Sequence, residues 1–324
     1  MSDPAAASAS RADLFDPASL AELGHIEVVA RWVVDGFVTG LHRSPRKGFS
    51  AEFSEHRPYQ PGDDPRYVDW KIAARADRMV VKQFEEETNL RATIVLDVSR
   101  SMDWSGAALS PAPDRKGAPG AGAAPRRLTK LAYAERLAGA LALLLLRQRD
   151  AVGLIRFDDA VRSVVPPRSR QGQWRRVVAA LEEPGAGPDS RAALALEQAA
   201  RLVRRPGLVV LMSDLLMDAP DVERAVRALR AVGHDVTVMH LLDPAERDFD
   251  VQASAVFYDP ESGAELPASA AVRDVYRDAV AAALDDWRRI FAAVGASYEV
   301  VLTSEPFGIP LRRAFAARQA VARA

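Results

Sequence analysis

The sequence predicts an α/β protein built on a doubly wound, mainly parallel sheet, with a smaller amino-terminal region of helix and β-hairpin. Three observations point there. Short apolar runs, among them Ile94-Val95-Leu96 and Leu208–Met212, are continuous rather than alternating. That is the pattern of strands covered on both faces. Stretches of helical length and periodicity separate most of these runs, as βαβ units require. Two of the runs also end in an acid, at Asp97 and at Ser213-Asp214. Parallel strands bring their carboxyl ends to one rim, which is where open α/β sheets hold ligands.

Taken in order, residues 1–15 read as a disordered tail of small residues. A helix is expected from Asp16-Pro17, with Asp as cap and Pro in the first turn, to about Gly36. Residues 16–90 form the amino-terminal region. Within it Phe49–Asp69 is rich in turn formers and aromatics, and Met79–Phe84 reads as a strand. Asn89 suggests a turn that makes a hairpin between this strand and the one ending at Asp97. Residues 91–305 form the main domain. Its segment 104–126 is dominated by Gly, Ala, Pro and Ser, a composition that builds no core, and reads as a flexible insertion. A core helix at Leu128–Gln148 comes next, with strands at Ala151–Phe157 and Val161–Val165. Helices at Gln171–Leu181 and Ser190–Arg204 precede the strand at Leu208–Met212. The order then runs helix Asp221–Val232, strand Asp235–Leu241, helix Ala270–Val294 and strand Ser297–Leu302. Residues 306–324 read as a surface helix or frayed tail.

Composition narrows the function classes. A net charge of −1 over 324 residues gives no long-range attraction for nucleic acid or anionic membrane. The short basic stretch Arg43–Lys47 lacks interleaved aromatics, so nucleic-acid binding is not expected. Without cysteine there is no thiol catalysis and no zinc–thiolate centre. The apolar run Leu137–Leu146 is too short to span a bilayer as a helix. No signal peptide is evident at Met1–Ala9, so a cytoplasmic protein with no membrane insertion is expected.

The chemistry-bearing positions lie at the strand ends. Asp97-Val98-Ser99-Arg100-Ser101 places one carboxylate and two hydroxyls on alternate residues of a loop leaving a buried strand. Hard oxygen donors of this kind suit Mg²⁺ or Mn²⁺. Asp214 supplies a second carboxylate at the same rim. Asp189 or Ser190, in Gly187-Pro188-Asp189-Ser190, offers a third loop. Ordinary capping is the alternative at each: a helix cap at Ser99 or Ser101, and N-capping by Ser213, Asp214, Asp189 or Ser190.

Three oxygen-bearing loops in this order resemble the von Willebrand factor A domain, a doubly wound, Rossmann-type fold with a metal-ion-dependent adhesion site. Asp97, Ser99 and Ser101 match its first motif and Asp214 its third loop. The middle loop departs from the family's usual Thr, so Ser190 or Asp189 would stand in. A second resemblance is carried by Phe53–Lys71, which includes Arg57-Pro58-Tyr59-Gln60-Pro61-Gly62-Asp63-Asp64-Pro65-Arg66-Tyr67-Val68-Asp69-Trp70, and continues through Ala74-Arg75. This looks like the signature of the "domain of unknown function 58" family, whose members carry it ahead of a von Willebrand A-like domain. The resemblance implies a MoxR-type AAA+ ATPase as partner, in complex assembly or metal-cofactor insertion. Read physically, the same segment is a strong turn flanked by alternating Arg, Lys and Asp. Its charges suggest an ion-pair network, and burial of Tyr59, Tyr67 and Trp70 would anchor it.

Two classes of function follow. One is a non-enzymatic, cation-dependent protein-interaction module, with a metal-independent scaffold as its simpler form. The other is a Mg²⁺-dependent phosphatase-like hydrolase with Asp97 as nucleophile. For that chemistry Ser99 stands where a second acid is wanted. No phosphate-cradling Gly-rich loop with Lys is present, so intrinsic ATPase activity is not expected.

Overall fold

The computed structural model describes residues 25–41, 52–58, 70, 72, 75, 79–85, 90–106, 128–185, 192–249, 255–258, 265–268 and 273–313. The chain divides into two compact units, one of residues 38–90 and one of residues 1–37 with 91–324. Helix α1 (Ile26–Leu41) buries Ile26, Val29, Ala30, Val33 and Val34, one stripe at three- and four-residue spacing. The expected cap at Asp16-Pro17 lies outside the described residues.

In the smaller unit, strands β1 (Glu52–Pro58) and β2 (Val80–Glu85) pair antiparallel, with Phe53 opposite Phe84 and Pro58 opposite Val80. The expected hairpin between the 79–84 strand and the strand ending at Asp97 does not form. Both edges of that later strand are taken by parallel neighbours, and β2 is paired instead with a segment read as turns. The expected anchoring by Trp70 is also corrected: its side chain is 62% exposed, in a unit too small to offer much interior. Tyr59, Tyr67 and most of the charged signature lie outside the described residues.

The larger unit is built from β3 (Arg91–Asp97), α2 (Lys130–Arg147), β4 (Ala151–Phe157) and β5 (Val161–Arg168), then α3 (Gln173–Leu181), α4 (Ala192–Leu202) and β6 (Leu208–Ser213). After these come α5 (Ala219–Ala231), β7 (Asp235–Leu242), α6 (Pro244–Asp248), β8 (Ala255–Tyr258), β9 (Glu265–Ala268), α7 (Arg273–Ala293) and β10 (Ser297–Leu302). Six strands form one sheet in the order β10-β7-β6-β3-β4-β5. All neighbours are parallel except β4 and β5. This is the α/β, mainly parallel, doubly wound sheet that the apolar runs predict. The β8–β9 pair is a separate antiparallel ribbon that the sequence reading passed over.

Burial follows position in the sheet. Every residue of β6 is buried, as is all of β3 after Arg91, whereas edge strand β5 alternates half-buried and exposed along its whole length. An edge strand also tolerates Pro166 and Pro167, which have no amide hydrogen to donate. Gly153 lets β5 approach: a Cβ there would stand 2.7 Å from the Val165 carbonyl oxygen and 2.8 Å from the Pro167 ring. One face of the sheet, with Val95, Ile155, Val209, Leu211 and Val238, packs on α4, α5 and Trp287 and Phe291 of α7. On the other face α2 and α1 meet at Gly139, where a Cβ would lie 2.8 Å from Ile26 Cγ2.

The chain after β10 is less peripheral than expected. Leu311 and Phe307 are fully buried, Phe307 stacks on Tyr133 at 4.6 Å, and the Tyr133 hydroxyl donates to the Glu305 carbonyl at 2.8 Å. Residues 314–324, like the insertion beyond residue 106, fall outside the description. Among the described residues no helix is long and apolar enough to cross a membrane.

Candidate functional site

The strand order places a topological switch point between β3 and β6. From β3 the chain leads through α2 to β4 on one side, and from β6 through α5 to β7 on the other. The crevice outside the carboxyl ends of those two strands is where such sheets place ligands, and the first and third predicted loops meet there.

Asp97 ends β3 with its side chain 1% exposed. The next residue, Val98, donates its amide to the Phe157 carbonyl of β4 at 2.8 Å, fixing the loop's exit. The loop then turns back on its own acid. The Ser99 amide donates to Asp97 Oδ1 at 3.0 Å, and the Ser99 and Ser101 hydroxyl oxygens lie 3.1 Å apart. A 3-10 turn over Arg100–Asp103, with the Met102 amide on the Ser99 carbonyl, holds both hydroxyls inward.

From β6, the Ser213 hydroxyl donates to Asp97 Oδ2 at 2.6 Å and accepts from the Leu215 amide at 2.9 Å. Asp214 Oδ1 accepts from the Leu216 amide at 3.3 Å. The reversal that allows this needs Leu215 in the left-handed region, at φ 55°, although it is a buried, non-glycine residue. Such a conformation costs about 1 kcal/mol or more and clusters at functional sites. Neither residue caps the helix that follows: α5 begins at Ala219 with Asp218 at its N-cap, and Ser213 and Asp214 instead accept from amides of their own loop.

Sequence reasoning missed the group at the centre of this rim. Lys130, the first residue of α2, is 1% exposed; its Nζ donates to Asp214 Oδ2 at 2.8 Å and to Glu246 Oε1 at 2.5 Å. An ammonium at a helix amino terminus opposes the helix dipole, so these two carboxylates hold it there, with the Trp104 ring 5.9 Å away. Glu246 is itself fixed by a capping box: its Oε2 accepts from the Asp243 amide, while Asp243 Oδ1 accepts from the Ala245 amide. The available signals were a lone Lys opening an apolar helix and the Asp243-Pro244-Ala245-Glu246 cap.

The electrostatics follow from this inventory. Burial raises the Asp97 carboxyl from its ordinary 3.8 to about 7, and the Asp214 carboxylate adds to the rise against the hydrogen bonds from Ser213 and Ser99. His240, opposite Ser213 in the sheet and bonded through Nδ1 to the Tyr298 hydroxyl at 2.7 Å, is pushed down to about 4 by burial and stays neutral. Asp214 and Glu246 thus share one ammonium, with Asp97 buried beside Asp214. The donor set of two carboxylates and three hydroxyls has the oxygen chemistry of a Mg²⁺ or Mn²⁺ site, and the surplus of negative charge favours a further cation. Among the described residues no group of three or more His, Asp or Glu is arranged as a ligand set.

The middle loop, with Asp189 and Ser190, lies outside the described residues. The described chain leading into it is close by: a Cβ on Gly185 would lie 3.2 Å from the Val98 carbonyl oxygen.

The Uncharacterized protein Rv1480 of Mycobacterium tuberculosis is 30% identical over 293 residues, spanning 88% of this chain and 85% of its own. Similar solved structures include the conserved hypothetical protein BatB from Bacteroides thetaiotaomicron, at 16% identity and TM-score 0.44 over 72% of this chain and 100% of that one. Another is the SpRpn10 VWA domain, at 14% identity and TM-score 0.35 over 68% and 93%. The family described as "Protein of unknown function DUF58" matches residues 55–112 and 118–286, which include β3, Asp97, Ser99, Ser101 and Asp214. The chain therefore belongs to the DUF58 family.

Proposed function

We propose that this chain is a protein-interaction module whose binding face is the carboxyl rim of the sheet at β3 and β6. The observation that carries the reading is the buried meeting of Asp97, Ser99, Ser101 and Ser213 with Asp214, where negative charge exceeds positive. Asp97, Ser99, Ser101 and Asp214 would hold Mg²⁺ or Mn²⁺, with Ser190 or Asp189 as the middle-loop donor. A divalent ion there supplies an oxygen-seeking centre that a partner's Asp or Glu side chain suits. A MoxR-type AAA+ ATPase is the partner proposed, with the module acting as its adaptor, and family membership is what suggests it.

A second reading, a scaffold that needs no metal, draws on Lys130, which already neutralises Asp214 from within. A hydrolase is less well supported. Both Asp97 oxygens accept hydrogen bonds and the side chain is buried, a poor arrangement for in-line attack. Calorimetric titration of Mg²⁺ and Mn²⁺ into wild type and Asp97→Ala tests the cation, with saturable binding expected only for wild type. Capture of the ATPase with added Mg²⁺ and with EDTA tests the bridge. Loss of binding in EDTA is the expected result; equal capture in both rejects the metal-bridged form and leaves the scaffold.

A further inference from the structure

The opposite rim of the sheet carries a second candidate site that shares none of these residues. A cavity of about 270 Å³ lies at the amino ends of β3 and β6, against the far end of β5. Its volume is many times that of a water molecule and near the lower end for pockets that take small organic ligands. Apolar side chains make most of its wall, including Ile155, Val165 and Leu208. At its mouth Val164 and Leu202 remain 45% and 47% exposed, apolar surface that the fold leaves uncovered.

The polar lining is of one sign. Arg91, Arg204 and Arg205 line the cavity and no Asp or Glu does. Among the described residues none of the three forms an ion pair. Sheet register explains why they converge. Ala92, next to Arg91, pairs with Leu208, so the Arg204–Gly207 loop ends beside the start of β3. Gly207 lets that loop come close, since a Cβ there would lie 2.2 Å from the Arg91 carbonyl oxygen. The wall also contains buried His234, whose Nε2 is 2.9 Å from the Val203 carbonyl oxygen and whose Nδ1 has no hydrogen-bond partner among the described residues.

We propose that this cavity binds a small amphipathic anion, its apolar body against Val164, Val165 and Leu202 and its acidic head on the Arg91, Arg204 and Arg205 guanidiniums. Guanidinium forks recognise planar or tetrahedral oxyanions with paired hydrogen bonds. Three of them around an apolar cavity select a ligand with both features over one that has either alone.

The test uses the whole chain and three probes: anilinonaphthalene sulfonate, its uncharged phenylnaphthylamine counterpart, and inorganic phosphate. The sulfonate is expected to bind saturably, with the neutral dye and phosphate each weaker by about tenfold or more. The double variant Arg204→Glu/Arg205→Glu alters two exposed side chains and is expected to keep the wild-type melting curve. It should weaken the sulfonate by about tenfold while leaving the neutral dye unchanged. Arg204→Lys/Arg205→Lys should retain most of the binding. Methyl NMR locates the event, with shifts expected at Val164, Val165 and Leu202. Equal affinity for the charged and neutral dyes, an unaffected charge-reversal variant, or methyl shifts confined to other parts of the sheet would each overturn the proposal.

Discussion

At the residue scale, Asp97 shows how burying one carboxyl costs stability. Its carboxyl is buried beside another carboxylate, and its hydrogen bonds from Ser99 and Ser213 offset only part of that cost. The folded protein therefore holds a proton on Asp97 to about pH 7, whereas the unfolded chain releases it near 3.8. Between those values the folded state binds more protons, so this group's contribution falls as pH rises, by on the order of 3 kcal/mol across the window. Urea unfolding in chelator should show Asp97→Asn gaining stability over wild type as pH rises from about 4 to about 7. Glu135, raised to about 7, and His240, lowered to about 4, titrate in both proteins and cancel in that difference. A difference that stays constant with pH would contradict the burial argument.

At the scale of elements, Lys130 ties three of them together: the start of α2, the loop after β6 and the cap of α6. Buried ion pairs contribute little relative to apolar replacements, but removing one partner strands the others. Lys130→Met should cost about 3–5 kcal/mol, because Asp214 and Glu246 keep their burial and lose their counter-charge. Chemical denaturation measures it. A loss below about 1 kcal/mol, the range of an exposed pair, would mean that water reaches these groups in solution. The same element-scale logic explains β5. Its strict alternation and two prolines suit an edge strand, and Gly153 on β4 is small because β5 crosses close above it.

At the scale of the larger unit, local stability should follow position in the sheet. Strands β3 and β6 are paired on both sides and buried on both faces, whereas β5 has a neighbour on one side only. Opening β3 requires breaking two ladders and exposing both apolar layers, so its amides should exchange only through near-global unfolding. Hydrogen exchange by mass spectrometry should rank β3 and β6 slowest, β7 and β4 next, and β5 clearly faster. If β3 exchanged as fast as β5, the sheet order described here would be wrong.

Much of this was legible in the sequence because burial writes itself locally. A strand covered on both faces is apolar along its buried length, so β3 and β6 stood out as continuous runs, and the strands expected at Ala151–Phe157 and Ser297–Leu302 match the structure at both ends. Asp97 and Asp214 were visible for the same reason, as acids ending such runs. Pairing was not legible. Nothing within Met79–Phe84 says that its partner is Glu52–Pro58 rather than the strand that follows, because pairing depends on which sheet edges other strands have already taken. Lys130 and Glu246 were equally hidden. A lysine reads as solvent-exposed until the fold sets it against two carboxylates 84 and 116 residues further along the chain. The sequence by itself determined the sheet and the rim where charge gathers. Only the tertiary structure decided which charges meet there, because that balance is a sum over groups contributed by separate elements.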